Sequence, residues 1–284
     1  MSYTYNAISF CEVAHAFKND KEYNVSLYQK ILDSIHVNEI ERLYIGSSFC
    51  CRYFLHFTPL ILNQLQEMIS FKGYKFKITL VLPIFSEVTL TKGKELIKDL
   101  LEKYPSLIDE VTVNDFGMLE YISKLNIKIN VGRLMNKDTR DIRQNDYYNI
   151  QHTPDILSYQ VSIFDRYNIN RFEIDVTNRF LNLDSEKIKF SVYAPFVYAT
   201  TGNVCEYASI DKPLNKKFRT NDECHYHCTY THITYHDFEN NIYVKYGRTV
   251  YFEVEDFEIR GEDYRLIFEP FEAINIIKGE EINE

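Results

Sequence analysis

The chain has 284 residues, 45% of them apolar, which is enough for one large core; nine glycines and seven prolines exclude a glycine-repeat or low-complexity sequence. The formal charge is −9, and no Lys/Arg stripe of the kind that neutralises a duplex appears, which argues against a nucleic-acid partner. No run reaches the roughly 18 apolar residues of a membrane span. The first residues lack the basic and apolar regions of a secretory signal, so a cytoplasmic protein with unpaired cysteines is expected.

Asn6–Cys11 (NAISFC) reads as a strand and Ser26–Val37 as a helix with Leu27, Ile31, Leu32 and Ile35 on one face. Arg42–Gly46 (RLYIG) reads as a buried strand, Leu60–Ile69 as a helix and Phe76–Ile84 as a strand. Lys92–Tyr104 follows as a helix that Pro105 ends. Glu110–Val113 is a strand, with turn chemistry at Asn114–Gly117, then Met118–Leu125 a helix and Lys128–Val131 a strand. A helix over Asp155–Tyr167 and strands at Arg171–Val176 and Lys189–Ala194 complete the series.

Such β-α alternation predicts a parallel sheet with crossover helices. No G-x-G-x-x-G or P-loop is present. A single TIM-like (β/α) barrel domain over 1–284, distorted or incomplete, therefore fits better than a doubly wound sheet. Residues 200–241 form a polar Cys/His-rich segment within it; residues 242–268 read as β, with a hairpin at Tyr246-Gly247-Arg248 and a last strand at Tyr264–Phe268.

Two of six cysteines and four of eight histidines fall in residues 223–236, ECHYHCTYTHITYH. Cys224, Cys228, His232 and His236 are each four apart, so on a helix they would share one face but span about 18 Å. They cannot enclose one ion, and other ligands must come from Cys205, Cys50, Cys51 or Cys11. Cys50 and Cys205 each follow a strand, and such loops converge at one end of a parallel barrel. Thiolate donors suit zinc or an iron–sulfur cluster, and spacing alone leaves both open. Cys11 and Cys51 read as small core residues; His225, His227, His232 and His236 read as solvated or hydrogen-bonded.

LYIGSSFC with Cys50, VTVNDFGML (Val111–Leu119), RFEIDV (Arg171–Val176), FVYATTGNVC with Cys205, and NDEC leading into Cys224-x-x-x-Cys228 occur in this order. Together they resemble the collagenase-like peptidase family of unknown catalytic type, and within it the iron–sulfur proteins of anaerobic ubiquinone biosynthesis. The likeness covers roughly residues 40–250. It implies a distorted TIM-like barrel and a 4Fe–4S cluster on Cys50, Cys205, Cys224 and Cys228, with zinc the alternative. The stretch between Cys205 and Cys224 is longer than the family pattern, with the basic segment Lys212–Arg219 inside it.

The resemblance further implies oxygen-independent hydroxylation of a small aromatic or isoprenoid substrate, with a homologous second subunit or a homodimer and a prephenate-like carboxylate. Asp115, Arg133 and Glu173 follow or end strands and are the candidate catalytic residues. Arg133 would grip a carboxylate and Asp115 would serve as base or acceptor; the alternative for each is a structural ion pair. Other readings are a non-catalytic or electron-transfer subunit, a collagenase-like peptidase, or a zinc hydrolase. No G-x-S-x-G or H-E-x-x-H supports the hydrolases.

Overall fold

Strands that carry apolar residues at alternate positions form the centre of the molecule. The computed structural model describes residues 3–5, 40–72, 77–136, 158–177, 181–183, 188–194, 196–220, 223–229, 233–238, 242–254, 258–261 and 264–268. The expected elements at Asn6–Cys11 and Ser26–Val37, with Cys11, lie outside those residues.

The strands are β1 (Tyr3–Tyr5), β2 (Ile40–Gly46), β3 (Lys77–Val81), β4 (Ile108–Val113), β5 (Lys128–Val131), β6 (Ile169–Asp175), β7 (Leu181–Asn182), β8 (Phe190–Ala194), β9 (Phe196–Thr201), β10 (Ile233–His236), β11 (Ile242–Tyr246), β12 (Thr249–Glu253), β13 (Ile259–Arg260) and β14 (Tyr264–Phe268). The helices are α1 (Cys51–Lys72), α2 (Glu87–Lys103), α3 (Phe116–Ile122) and α4 (Ser158–Tyr167).

Parallel pairing runs β2-β3-β4-β5-β6-β8-β14, a curled sheet in a mixed α/β fold. The short β1 pairs with both β14 and β2, so the strand order closes on itself. This matches a distorted barrel. The distortion follows β8, where the chain enters an antiparallel sheet ordered β10-β11-β12-β9 before returning as β14. The last strand, Tyr264–Phe268, thus belongs to the parallel ring and not to the hairpin sheet that precedes it.

The two faces of the ring differ. Outward residues such as Leu43, Ile45, Leu80, Val111, Val131 and Phe172 pack with Phe54, Ile61, Ile97 and Leu119 of the helices into the main core. Inward, Tyr44, Val81, Tyr193 and Ile267 form a small apolar group among the described residues. The other inward positions are buried and polar, among them Arg42, Thr79, Glu110, Thr112, Asn130, Glu173 and Ser191.

Helices begin earlier than the apolar periodicity suggested. Lys92–Tyr104 is preceded by a turn that a capping box of Ser86 and Thr89 starts at Glu87. The helix expected from Leu60 starts at Cys51, before Pro59, and the ring of Pro59 is accommodated inside it.

Candidate functional site

Loops after β2 and β5, the segment after β9 and the β11–β12 hairpin build one pocket. After β2, Gly46 has φ +127°, and a Cβ there would stand 2.2 Å from the Val81 carbonyl oxygen, so only glycine lets β2 lie this close to β3. Ser47 then donates its backbone N–H to that carbonyl at 3.1 Å. Its Oγ accepts from the Phe49 and Cys50 amides at 3.2 and 3.0 Å, which caps the start of α1 and fixes Cys50 at the helix entrance. The Tyr53 amide points at the Cys50 sulfur, 3.5 Å away.

Cys205 follows β9, and its carbonyl accepts from Ser209 Oγ at 3.4 Å. The same hydroxyl accepts from the amide of Phe218, whose φ is +59°. Ser209 therefore ties both ends of the Cys205–Phe218 excursion together. Between Cys224 and Cys228, Tyr226 also takes a positive φ, +57°, which costs a bulky residue free energy. It is held by stacking on His56 (4.8 Å) and an edge contact with Phe57 (4.9 Å), both on α1. This pins the two-cysteine segment beside Cys50. The segment contains only the short 3₁₀ turn His227–Thr229 and no α-helix.

The β11–β12 hairpin completes the wall. Tyr246 pairs with Thr249 around Gly247-Arg248, and Gly247 has φ +56°, as a tight turn requires. A Cβ on Gly247 would lie 3.9 Å from Cys228 Sγ. Arg248 Nε donates to the Phe49 carbonyl at 2.6 Å and so fastens the hairpin to the Cys50 loop.

The resulting pocket has about 910 Å³ of free space, part of it open to solvent, and its walls carry Cys50, Cys205, Cys224 and Cys228 with Arg52, Arg133, Arg219 and Arg248. All four cysteines that the resemblance implies thus share one pocket, drawn from three chain segments. Cys51 also reaches it but is buried as the first residue of α1. Burial pushes the Cys50 thiol up to about 11, against the pull of Arg248. The Cys224 thiol is raised as well, by burial and then by Cys205, while Arg52 and Lys212 oppose this. A metal would have to displace protons from both. Ser48 Oγ, buried in the same wall, has no hydrogen-bond partner among the described residues. No group of three or more His, Cys, Asp or Glu side chains that could hold a single metal ion occurs among the described residues.

The expected catalytic residues separate. Arg133 alone lines the pocket. It is almost fully buried, pairs with Asp175 at 3.0 Å, and its guanidinium is boxed by Tyr193 at 3.9 Å, Phe49 at 5.0 Å, Tyr198 at 5.7 Å and Tyr251 at 5.8 Å. Asp115 caps α3 by accepting from the Met118 amide at 2.8 Å and lines no part of the pocket. Burial raises its carboxyl against the pull of the Met118 and Gly117 amides. Glu173 lies inside the ring, below Tyr193.

No described histidine lines the pocket: His225 and His236 are exposed and His227 pairs with Asp211. His232 lies outside the described residues. Arg52, Arg248 and Tyr193 were not singled out in the sequence; the signals were an arginine directly after Cys50-Cys51 and another in a Gly-Arg turn. Comparison of the chain with family models, curated proteins and solved structures returns no match.

Proposed function

We propose that the protein is a 4Fe–4S protein on a distorted TIM-like barrel, acting in oxygen-independent hydroxylation of a small carboxylate-bearing or aromatic substrate. The observation that carries this reading is the meeting of Cys50, Cys205, Cys224 and Cys228 in one pocket. A cubane takes one thiolate per iron, and four soft donors from three segments fit that demand. When bound, such a cluster supplies one-electron chemistry.

The chain's own residues do the rest. Arg52 and Arg248 offset the charge of the thiolates, as their influence on Cys224 and Cys50 indicates. Arg219 and Arg52 at the pocket wall offer the guanidinium groups that bind a carboxylate in two-point fashion. Arg133, already engaged by Asp175, holds the pocket floor. Asp115 serves as a helix cap. A homologous second subunit or a second copy would complete the assembly in the cytoplasm.

Anaerobic purification tests the reading. Roughly four irons with matching sulfide per chain and a broad band near about 400 nm are expected. Cys50→Ser should lose them. Stoichiometric zinc without sulfide would overturn the cluster and favour a zinc hydrolase.

A further inference from the structure

The ring interior holds two glutamates in opposite company. Glu110 is buried but accepts from Arg265 Nη1 at 2.5 Å, lies 3.4 Å from Arg42 Nη1, and receives the Thr79 hydroxyl and the Asn170 amide. Burial works against its ionisation, yet Arg265 and Arg42 outweigh this and hold it below the usual carboxylate range. Glu173 has no exposed surface. Its carboxyl accepts from Thr112 Oγ1 at 2.5 Å and from Tyr193 Oη at 3.0 Å. No lysine, arginine or histidine among the described residues forms an ion pair with it. Burial disfavours the charge of this carboxylate and nearby Glu110 adds to that; together they outweigh the Thr112 and Tyr193 hydroxyls and distant Arg265, which favour the ionised form, so the group leans toward binding a proton. Two acids whose surroundings drive them apart in this way mark a division of protonation roles.

Glu173 is also connected to the thiol pocket. Tyr193, which donates to it, presents its ring face to the Arg133 guanidinium at 3.9 Å, and Arg133 lines the pocket. Tyr44 packs edge-on against Tyr193 at 6.3 Å and is itself held by Arg265 at 2.9 Å. The charged and titratable groups facing this region are therefore Glu110 on β4, Arg42 and Tyr44 on β2, Arg265 on β14, Tyr193 on β8, Asp175 on β6 and Arg133 after β5. The cations are committed: Arg265 to Glu110, Arg42 to Asp109 with Glu110 farther off at 3.4 Å, and Arg133 to Asp175. Arg52, Arg219 and Arg248 lie in the pocket wall itself; between that wall and Glu173 each cation of this set already faces a carboxylate.

We propose that Glu173 is the proton-holding residue of the site, taking up one proton when the pocket gains an electron and releasing it on reoxidation. This rests on the cluster reading above. The balance is simple: a one-electron reductant supplies the electron to the cluster, solvent supplies the proton, and the only bond made is O–H on the Glu173 carboxyl. Tyr193 is the positioning residue that orients the carboxyl and sets its proton affinity.

Anaerobic redox titration from pH 6 to 9 of wild type and Glu173→Gln, each checked for iron, is the test. The wild-type midpoint should fall by up to about 59 mV per pH unit where Glu173 titrates, and that of the glutamine variant should stay flat at equal iron content. Infrared difference spectra on reduction should show a carboxylic-acid C=O band that Glu173→Gln abolishes. Tyr193→Phe should keep its iron but move the titrating range. A wild-type potential independent of pH, or an equal slope in Glu173→Gln, would overturn the proposal. If the chain holds no iron, the redox coupling falls with the cluster; an infrared pH titration of the same protein still decides whether Glu173 holds a proton, and absence of its band would sink that part as well.

Discussion

Arg248 donates its Nε–H to the backbone carbonyl of Phe49 at 2.6 Å, across 199 positions of sequence. That one bond joins the hairpin that walls Cys228 to the loop that carries Cys50. Arg248→Ala should remove a charged donor worth roughly 1.5–3 kcal/mol and loosen the two walls. Iron per chain after anaerobic reconstitution should drop well below wild type. Full iron loading at unchanged thermal stability would show that the bond holds nothing together.

Asp115 is expected to matter for stability and not for the cofactor. Asp115→Ala deletes the cap on the Met118 amide and should cost about 1 kcal/mol with iron content and midpoint potential unchanged. Asp115→Asn should recover most of that loss. A change in potential larger than the error of the titration would instead place Asp115 at the chemistry.

The Glu173 carboxyl sits at about 7 because burial disfavours its charge, against about 4.3 for an exposed glutamate. Between those values the folded chain keeps a proton that the unfolded chain has released. Stability should therefore fall as pH rises through that window. Glu173→Gln removes this contribution, so its advantage over wild type should grow from pH 5 to pH 8 by up to roughly 3 kcal/mol. Urea midpoints of the two proteins that run parallel across that range would contradict the assignment.

Arg265 contacts both Glu110 and the Tyr44 hydroxyl. Arg265→Met leaves a buried carboxylate short of its closest cation and should destabilise by roughly 3–5 kcal/mol. Replacing Glu110 by leucine in the same chain should restore a large part of that, because the uncompensated charge disappears with it. Additive losses in the double variant, measured by denaturant unfolding, would argue against a coupled pair.

The parallel strands were legible because each is a short apolar run with turn chemistry after it. RLYIG and KINV fall on strands of the ring, and FKITLVLPI contains the ring strand Lys77–Val81, which ends before Leu82–Ile84. Helix starts were harder to read, since Ser47, Ser86 and Asp115 set them through side-chain caps that apolar periodicity does not register. The ring partner of Tyr264–Phe268 could not be read at all: parallel pairing with β8 and β1 leaves no local mark. Of the four cysteines, Cys50 alone follows a strand of the parallel ring; Cys205 follows β9 of the antiparallel sheet, so loop convergence in a parallel barrel accounts for Cys50 only, and the set of four rests on the resemblance. The placement of Glu173 was not foreseen, because Arg171, Glu173 and Asp175 alternate with apolar residues just as they would on a solvent-facing strand. In fact that alternation faces a polar barrel interior.

The ring is closed by β14, a strand the ribosome makes only after the whole antiparallel sheet, and it must lie between β8 and the earliest strand, β1. Tyr3 pairs in register with Leu266. The pocket walls are likewise incomplete until Arg248 has emerged to meet Phe49. Such distant pairings make folding slow relative to local assembly. Under the cluster reading, metallation of the thiols would be a late event in synthesis. A nascent chain stopped before Tyr264 would carry all four cysteines, yet the ring beneath them would lack the strand that joins β8 to β1.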